Sequence, residues 1–209
     1  YCIKDLYMSA SGSEFDLILS EKACGKPKGE SYHIRTNITA AYNISNLTAA
    51  IAGLHCQGFD MKKLIEACVD VKQVDGRMEH VQNELGIDLI IDYAHTPDGF
   101  DKIFEFARSV KNPDGRLYAV FGSAGKRDKE KRHVLGRIAS ENCDYIILTE
   151  EDPRDEAACD IANQIALEIP KESYEFIDNR YEAISKAIAM AKAGDMVLVL
   201  GKGDERYLE

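Results

Sequence analysis

Apolar runs of strand length fall at 87–91, 116–121, 144–149, 174–177 and 195–200, and stretches with helical spacing separate them at 98–110, 129–142, 156–168 and 179–192. Such alternation predicts a mostly parallel sheet with helices on both faces, because parallel strands need a crossover that is usually a helix. Upstream, residues 1–36 alternate apolar and polar positions in short runs: Ile3, Leu6 and Tyr7, then Phe15, Leu17 and Leu19. Ser-Gly-Ser and Gly-Lys-Pro-Lys-Gly interrupt them, which predicts hairpin-like strands. Tyr42, Ile44, Leu47, Ile51 and Leu54 then recur at helical spacing, and a second helix is expected over 61–71. The pattern changes at Gln73-Val74-Asp75-Gly76. Two domains are therefore expected, 1–75 and 76–209, the second Rossmann-like within the α/β class.

Polar residues gather where the predicted strands end, the edge at which open α/β sheets bind ligands. The first strand runs into Asp92-Tyr93-Ala94-His95-Thr96-Pro97, with Thr96 suited to N-cap the next helix and Pro97 to its first position. Asp92 and His95 could simply cap this turn. The second strand leads into Gly122-Ser123-Ala124-Gly125-Lys126-Arg127-Asp128-Lys129. Its spacing is not that of a Walker loop, and no hydroxyl follows the lysine. Glycines there let backbone N–H groups approach an anion, and Arg127 can fork onto a carboxylate. The third ends in Glu150-Glu151-Asp152-Pro153-Arg154-Asp155-Glu156, which by itself also reads as a solvated charge run. The last ends in Gly201-Lys202-Gly203-Asp204-Glu205, a common turn whose Glu205 could meet an ammonium group. Asn43 and Asn46, three apart, share a face near the start of their helix.

Composition narrows the function classes. With 26 basic and 36 acidic residues the net charge is −10, which argues against nucleic acid or an anionic membrane as main partner. No run nears the roughly 18 apolar residues of a membrane span, and no signal peptide is found, so a cytoplasmic location is expected. Six scattered cysteines without a Cys-x-x-Cys pair fit reduced thiols better than a disulfide scaffold or zinc site. No dinucleotide fingerprint follows the first strand of the second domain, so an oxidoreductase is not favoured.

Gly76-Arg77-Met78-Glu79 followed by Asp92-Tyr93-Ala94-His95-Thr96-Pro97-Asp98 resembles the Mur ligases, in particular the tripeptide-forming branch, and the downstream segments agree in order. The resemblance covers nearly the whole chain. It implies that 1–75 is the carboxyl-terminal part of a central ATP-binding domain, that 76–209 is the carboxyl-terminal domain, and that the chain is a fragment. The implied reaction uses ATP and Mg²⁺ to phosphorylate the terminal carboxylate of UDP-N-acetylmuramoyl-L-Ala-D-Glu. The amine of a diamino acid then attacks the acyl phosphate. Asn43 and Asn46 would hold the adenine, Arg77 and Asp92 the nucleotide, and His95 would be catalytic.

Arg127, Glu151, Asp152, Pro153, Arg154, Gly201 and Glu205 would bind the amino acid. Lys126 stands where the family loop has Asp, Glu151-Asp152 where it has Asp-Asn, and Asp204 where it has His. Arg154 favours meso-diaminopimelate, whose second carboxylate lysine lacks, whereas Asp152 would repel that carboxylate and suit L-lysine. The Walker lysine and magnesium ligands are expected upstream of Tyr1, so the fragment alone is expected to be inactive. A paralogous Mur ligase, a folylpolyglutamate-synthetase-like ligase and a non-catalytic Rossmann-like binding module are the competing readings.

Overall fold

The computed structural model describes residues 1–19, 29–205, 207 and 208. The 25–28 part of the predicted hairpin turn, and Cys24, lie outside the described residues. The chain divides into two compact units, Tyr1–Gln73 and Val74–Glu209.

In the first unit, β1 (Cys2–Ser9), β2 (Gly12–Ile18) and β3 (Ser31–Thr36) form an antiparallel sheet in that order. Strict alternation along β2 sends Phe15 and Leu17 inward. They meet Ile34 of β3, Ile44 and Ile51 of α1 (Ala41–Cys56), and Met61 of α2 (Met61–Ala67). The predicted 61–71 helix is α-helical only to Ala67. It tightens into a 3₁₀ turn at Cys68–Asp70, a common helix ending, which here buries Cys68 in the same core. Cys2, Cys68, Cys143 and Cys159 are free thiols, but Cys56 is disulfide-bonded, which corrects the expectation of uniformly reduced cysteines. Sequence spacing does not reveal which thiols a fold brings together.

The second unit contains β4 (Glu79–Val81), β5 (Asp88–Asp92), α3 (Pro97–Val110), β6 (Leu117–Phe121), α4 (Glu130–Asn142), β7 (Tyr145–Leu148), α5 (Ala158–Ile165), β8 (Tyr174–Phe176), α6 (Arg180–Met190) and β9 (Met196–Leu200). Its sheet order is β4-β5-β9-β6-β7-β8, parallel throughout except that β4 runs antiparallel to β5. Tyr118, Val120, Ile147, Val197 and Val199 face Ala183 and Ala187 of α6. On the opposite face Phe121 packs edge-on against Phe100 of α3, and α4 lies between α3 and α5. The mostly parallel α/β architecture expected from the sequence is present. β9, last in sequence, sits between β5 and β6. That insertion brings the carboxyl ends of β5, β9, β6 and β7 side by side.

Candidate active site

Those four carboxyl ends surround a cleft of about 890 Å³. His95, Arg127, Glu151, Asp152, Arg154, Gly201 and Glu205 all line it, so four sequence-separated loops meet in one place. Asn43 and Asn46 lie in the other unit, on the first turns of α1, the former half-buried and the latter exposed.

Asp92 does not present its carboxylate to solvent. It is buried, and its two oxygens accept from Met78 N and Ala94 N at 2.8 Å each. Burial pushes its carboxyl above the usual range, against the pull of those N–H groups and of Arg77. Its geometric role is therefore to fasten the 76–78 segment, where Met78 has φ 51°, to the end of β5. Arg77 is exposed and stacks on Tyr93, with Cζ 4.1 Å from the ring centroid. Glu79 accepts from Gly76 N at 2.8 Å.

Past β5, Thr96 caps α3 by accepting from Gly99 N, and Pro97 occupies the first helical turn, as the sequence predicts. His95 Nδ1 lies 2.8 Å from the Tyr93 carbonyl. A carbonyl only accepts, so Nδ1 carries the proton, and in the neutral ring Nε2 keeps its lone pair.

The β6 and β7 loops interlock through close backbone approach. Gly125 N donates to Asp152 O at 2.9 Å, and Arg154 Nη1 donates to Gly125 O at 2.9 Å. A Cβ on Gly125 would lie 2.0 Å from the Pro153 carbonyl oxygen, which is the contribution Pro153 makes here. Lys126, Asp152 and Arg154 have φ of 51°, 43° and 55°, left-handed conformations that few non-glycine residues adopt. Beneath the loops Arg132 is fully buried. Its guanidinium donates to Glu156 Oε2 at 3.0 Å, Gln164 Oε1 at 2.8 Å and Ala124 O at 3.1 Å. Arg132, with the Lys126 N–H and Lys129, holds the Glu156 carboxyl down at about 2.

The cleft floor is charged. Burial pushes the Glu151 carboxyl up, opposed by Arg180, Lys131 and the Gly122 N–H. Lys131 donates to His95 O at 2.8 Å, and burial pushes its ammonium down. Lys202, only 6% exposed, bridges Asp152 Oδ1 and Glu205 Oε2 at 2.7 Å each. Glu205 also accepts from Tyr93 OH at 3.1 Å, and Lys202 holds its carboxyl below the usual range. Sequence reasoning did not single out Lys131, Lys202, Arg132 or Arg180. Lys202 stood inside a motif valued only for its glycine and glutamate.

Residues 76–203 match the family model described as Mur ligase, glutamate ligase domain. The chain belongs to the Mur ligase family. It is 36% identical over 206 residues to a UDP-N-acetylmuramoyl-L-alanyl-D-glutamate--2,6-diaminopimelate ligase of Clostridium acetobutylicum, covering 98% of this chain and 41% of that protein. The structure of a ligase of that description superposes with a TM-score of 0.70 at 31% identity, covering 99% of this chain and 41% of the other. A folylpolyglutamate synthase of Mycobacterium tuberculosis shares the fold, with a TM-score of 0.73 at 16% identity, over 95% of this chain and 44% of that one. The Mur ligase resemblance read from the motifs is thus borne out. The chain spans about two-fifths of the length of the curated relatives it matches.

Proposed function

We propose that this chain is the carboxyl-terminal portion of a cytoplasmic, ATP-dependent ligase that adds the third residue, meso-diaminopimelate in preference to L-lysine, to UDP-N-acetylmuramoyl-L-Ala-D-Glu through an acyl phosphate. One observation carries the reading: Arg127, Arg154 and Glu205 converge on a single cleft. Two guanidinium groups and one carboxylate match an amino acid that brings carboxylates and an ammonium group. The relatives named as diaminopimelate ligases supply the substrate class. No helix among the described residues is long and apolar enough to cross a membrane.

In this proposal Arg154 holds the second carboxylate, and Arg127 meets the other. Glu205 and the Gly201 backbone orient the ammonium end. His95, its Nδ1–H donated to the Tyr93 carbonyl, would accept a proton from the attacking amine on Nε2. Asn43 and Asn46 offer amides that fit a base edge, and Arg77, fixed by Asp92, offers a cation to a nucleotide. Bound ATP with Mg²⁺ supplies the phosphoryl group that activates the acceptor carboxylate. Among the described residues no group of three or more His, Cys, Asp or Glu could hold a metal ion, so the proposal leaves Mg²⁺ ligation to residues outside them.

The test is phosphate release by the full-length protein with ATP, Mg²⁺ and UDP-N-acetylmuramoyl-L-Ala-D-Glu, comparing the two amino acids. Release dependent on diaminopimelate supports the reading, and release dependent on lysine moves the specificity. No release with either overturns the assignment and favours a paralogous ligase or a binding module. The 209-residue chain alone is expected to release none.

A further inference from the structure

Asp152 poses a chemical problem that rests on the diaminopimelate reading above. An ionised carboxylate here, two residues from Arg154, repels the very group that distinguishes diaminopimelate from lysine. Yet Asp152 is not left with its charge uncompensated. Lys202 reaches across from the end of β9 and places Nζ 2.7 Å from Asp152 Oδ1. Lys202 is almost fully buried, so its ammonium is committed to the two carboxylates it touches, Asp152 and Glu205. Burial opposes its charge, but the carboxylates outweigh that and hold its pKa above the ordinary lysine value. Arg180, a further cation near Asp152, hydrogen-bonds to backbone oxygens: its Nη2 donates to Leu200 O at 2.7 Å and its Nη1 to Glu150 O at 3.4 Å.

We propose that Lys202 is a specificity-determining residue: by pairing with Asp152 it cancels a charge that would otherwise exclude a dicarboxylic diamino acid. The Lys202–Asp152 pair then does the work of a neutral side chain at position 152 and leaves Arg154 as the dominant charge for the incoming carboxylate. The left-handed backbone at Asp152 and Arg154 keeps the two side chains on separate tasks, one turned to Lys202 and the other to the Gly125 loop. Lys202 acts through Asp152, so the effect belongs to discrimination between substrates. Whatever its loss does to Glu205 and the ammonium end is common to both amino acids and cancels in their ratio.

The experiment is a double-mutant cycle in the full-length ligase: kcat/KM for meso-diaminopimelate and for L-lysine in the parent, Lys202→Met, Asp152→Asn and the double variant. Lys202→Met is expected to lower the diaminopimelate-to-lysine ratio by about tenfold or more, the scale of one uncancelled like charge at a partly buried site. Adding Asp152→Asn to Lys202→Met is expected to restore the ratio, and the restoration is a readout that mere structural damage would not give. A ratio that Lys202→Met leaves unchanged, or lowers without recovery when Asp152→Asn is added, would overturn the inference, as would a parent enzyme that prefers lysine. If circular dichroism shows Lys202→Met unfolded, Lys202→Gln replaces it in the cycle, and Lys202→Arg, which keeps the charge, is expected to hold the ratio within about threefold of the parent; a Lys202→Arg ratio as low as that of Lys202→Gln would overturn the inference. A parent without turnover on either amino acid sinks the ligase reading and this inference together, whereas turnover with a ratio that Lys202→Met leaves unchanged sinks the inference alone.

Discussion

Gly125→Ala tests whether the interlocked loops set the geometry of the cleft. The added Cβ would lie 2.0 Å from Pro153 O and 2.7 Å from Pro153 C, both backbone atoms that cannot rotate away. Carbon–oxygen contacts settle near about 3.3 Å, so the loops must part by about 1.3 Å. Parting stretches two hydrogen bonds of 2.9 Å, Gly125 N to Asp152 O and Arg154 Nη1 to Gly125 O. Overpacking costs about 1–3 kcal/mol, and each weakened bond adds about 0.5–1 kcal/mol. A total of about 2–5 kcal/mol follows, a large part of the stability of an ordinary domain. At a urea m-value of about 2 kcal/mol/M, the unfolding transition of the Val74–Glu209 unit shifts down by about 1–2.5 M, followed by circular dichroism on the 209-residue chain.

The same displacement separates Arg127 from Arg154. In the full-length ligase, a misplacement of about 1 Å costs on the order of 100-fold in kcat/KM for the amino acid, while KM for ATP changes little. A Gly125→Ala protein with an unshifted urea midpoint and an unchanged amino-acid KM would refute the idea that this contact spaces the loops.

Arg132→Met removes the donors to Glu156, Gln164 and Ala124 O; because Glu156 keeps some contact with water, the loss is expected at about 3 kcal/mol, the low end for a broken buried pair, read from thermal unfolding. Glu156 has a folded pKa of about 2, below its ordinary 4.5, so its contribution is present above the unfolded value and is lost as pH falls through that window. The drop in melting temperature between about pH 6 and about pH 3 should accordingly shrink in Glu156→Gln, and an unchanged drop would remove Glu156 from the account. Asp92→Ala strands the Met78 and Ala94 N–H groups and is expected to cost about 1–3 kcal/mol while raising KM for ATP through Arg77; a variant with parental KM would separate Arg77 from the nucleotide.

The periodic elements were legible because each depends on local pattern. Helical spacing and the Thr96-Pro97 start placed α3 within one residue of its observed start, Pro97. The 156–168 stretch was less so: its α-helix covers only Ala158–Ile165, and a 3₁₀ turn follows at Ala166–Glu168. Strand order was not legible, since no local feature says that β9 slips between β5 and β6. That insertion is what sets Gly201 and Glu205 beside His95. The backbone partners of Asp92 were not legible, because only the fold brings the Met78 and Ala94 N–H groups to its carboxylate.

The acidic stretch 150–156 explains why composition misleads at such sites. As a sequence it reads as a solvated charge run, which requires successive side chains to reach water. Here Glu150 accepts from Arg180 N, Glu151 is buried, Asp152 pairs with Lys202, and Arg154 donates to Gly125 O. Asp155 pairs with Lys126, and Glu156 with Arg132 and Lys129. The dispersal follows from the backbone: left-handed residues at 152 and 154 turn consecutive side chains towards β9, the β6 loop and α4 in succession. A charge run stays a solvated face only where the chain keeps one regular conformation. Where it breaks that conformation twice in three residues, each charge acquires its own partner, and the run becomes the wall of a site.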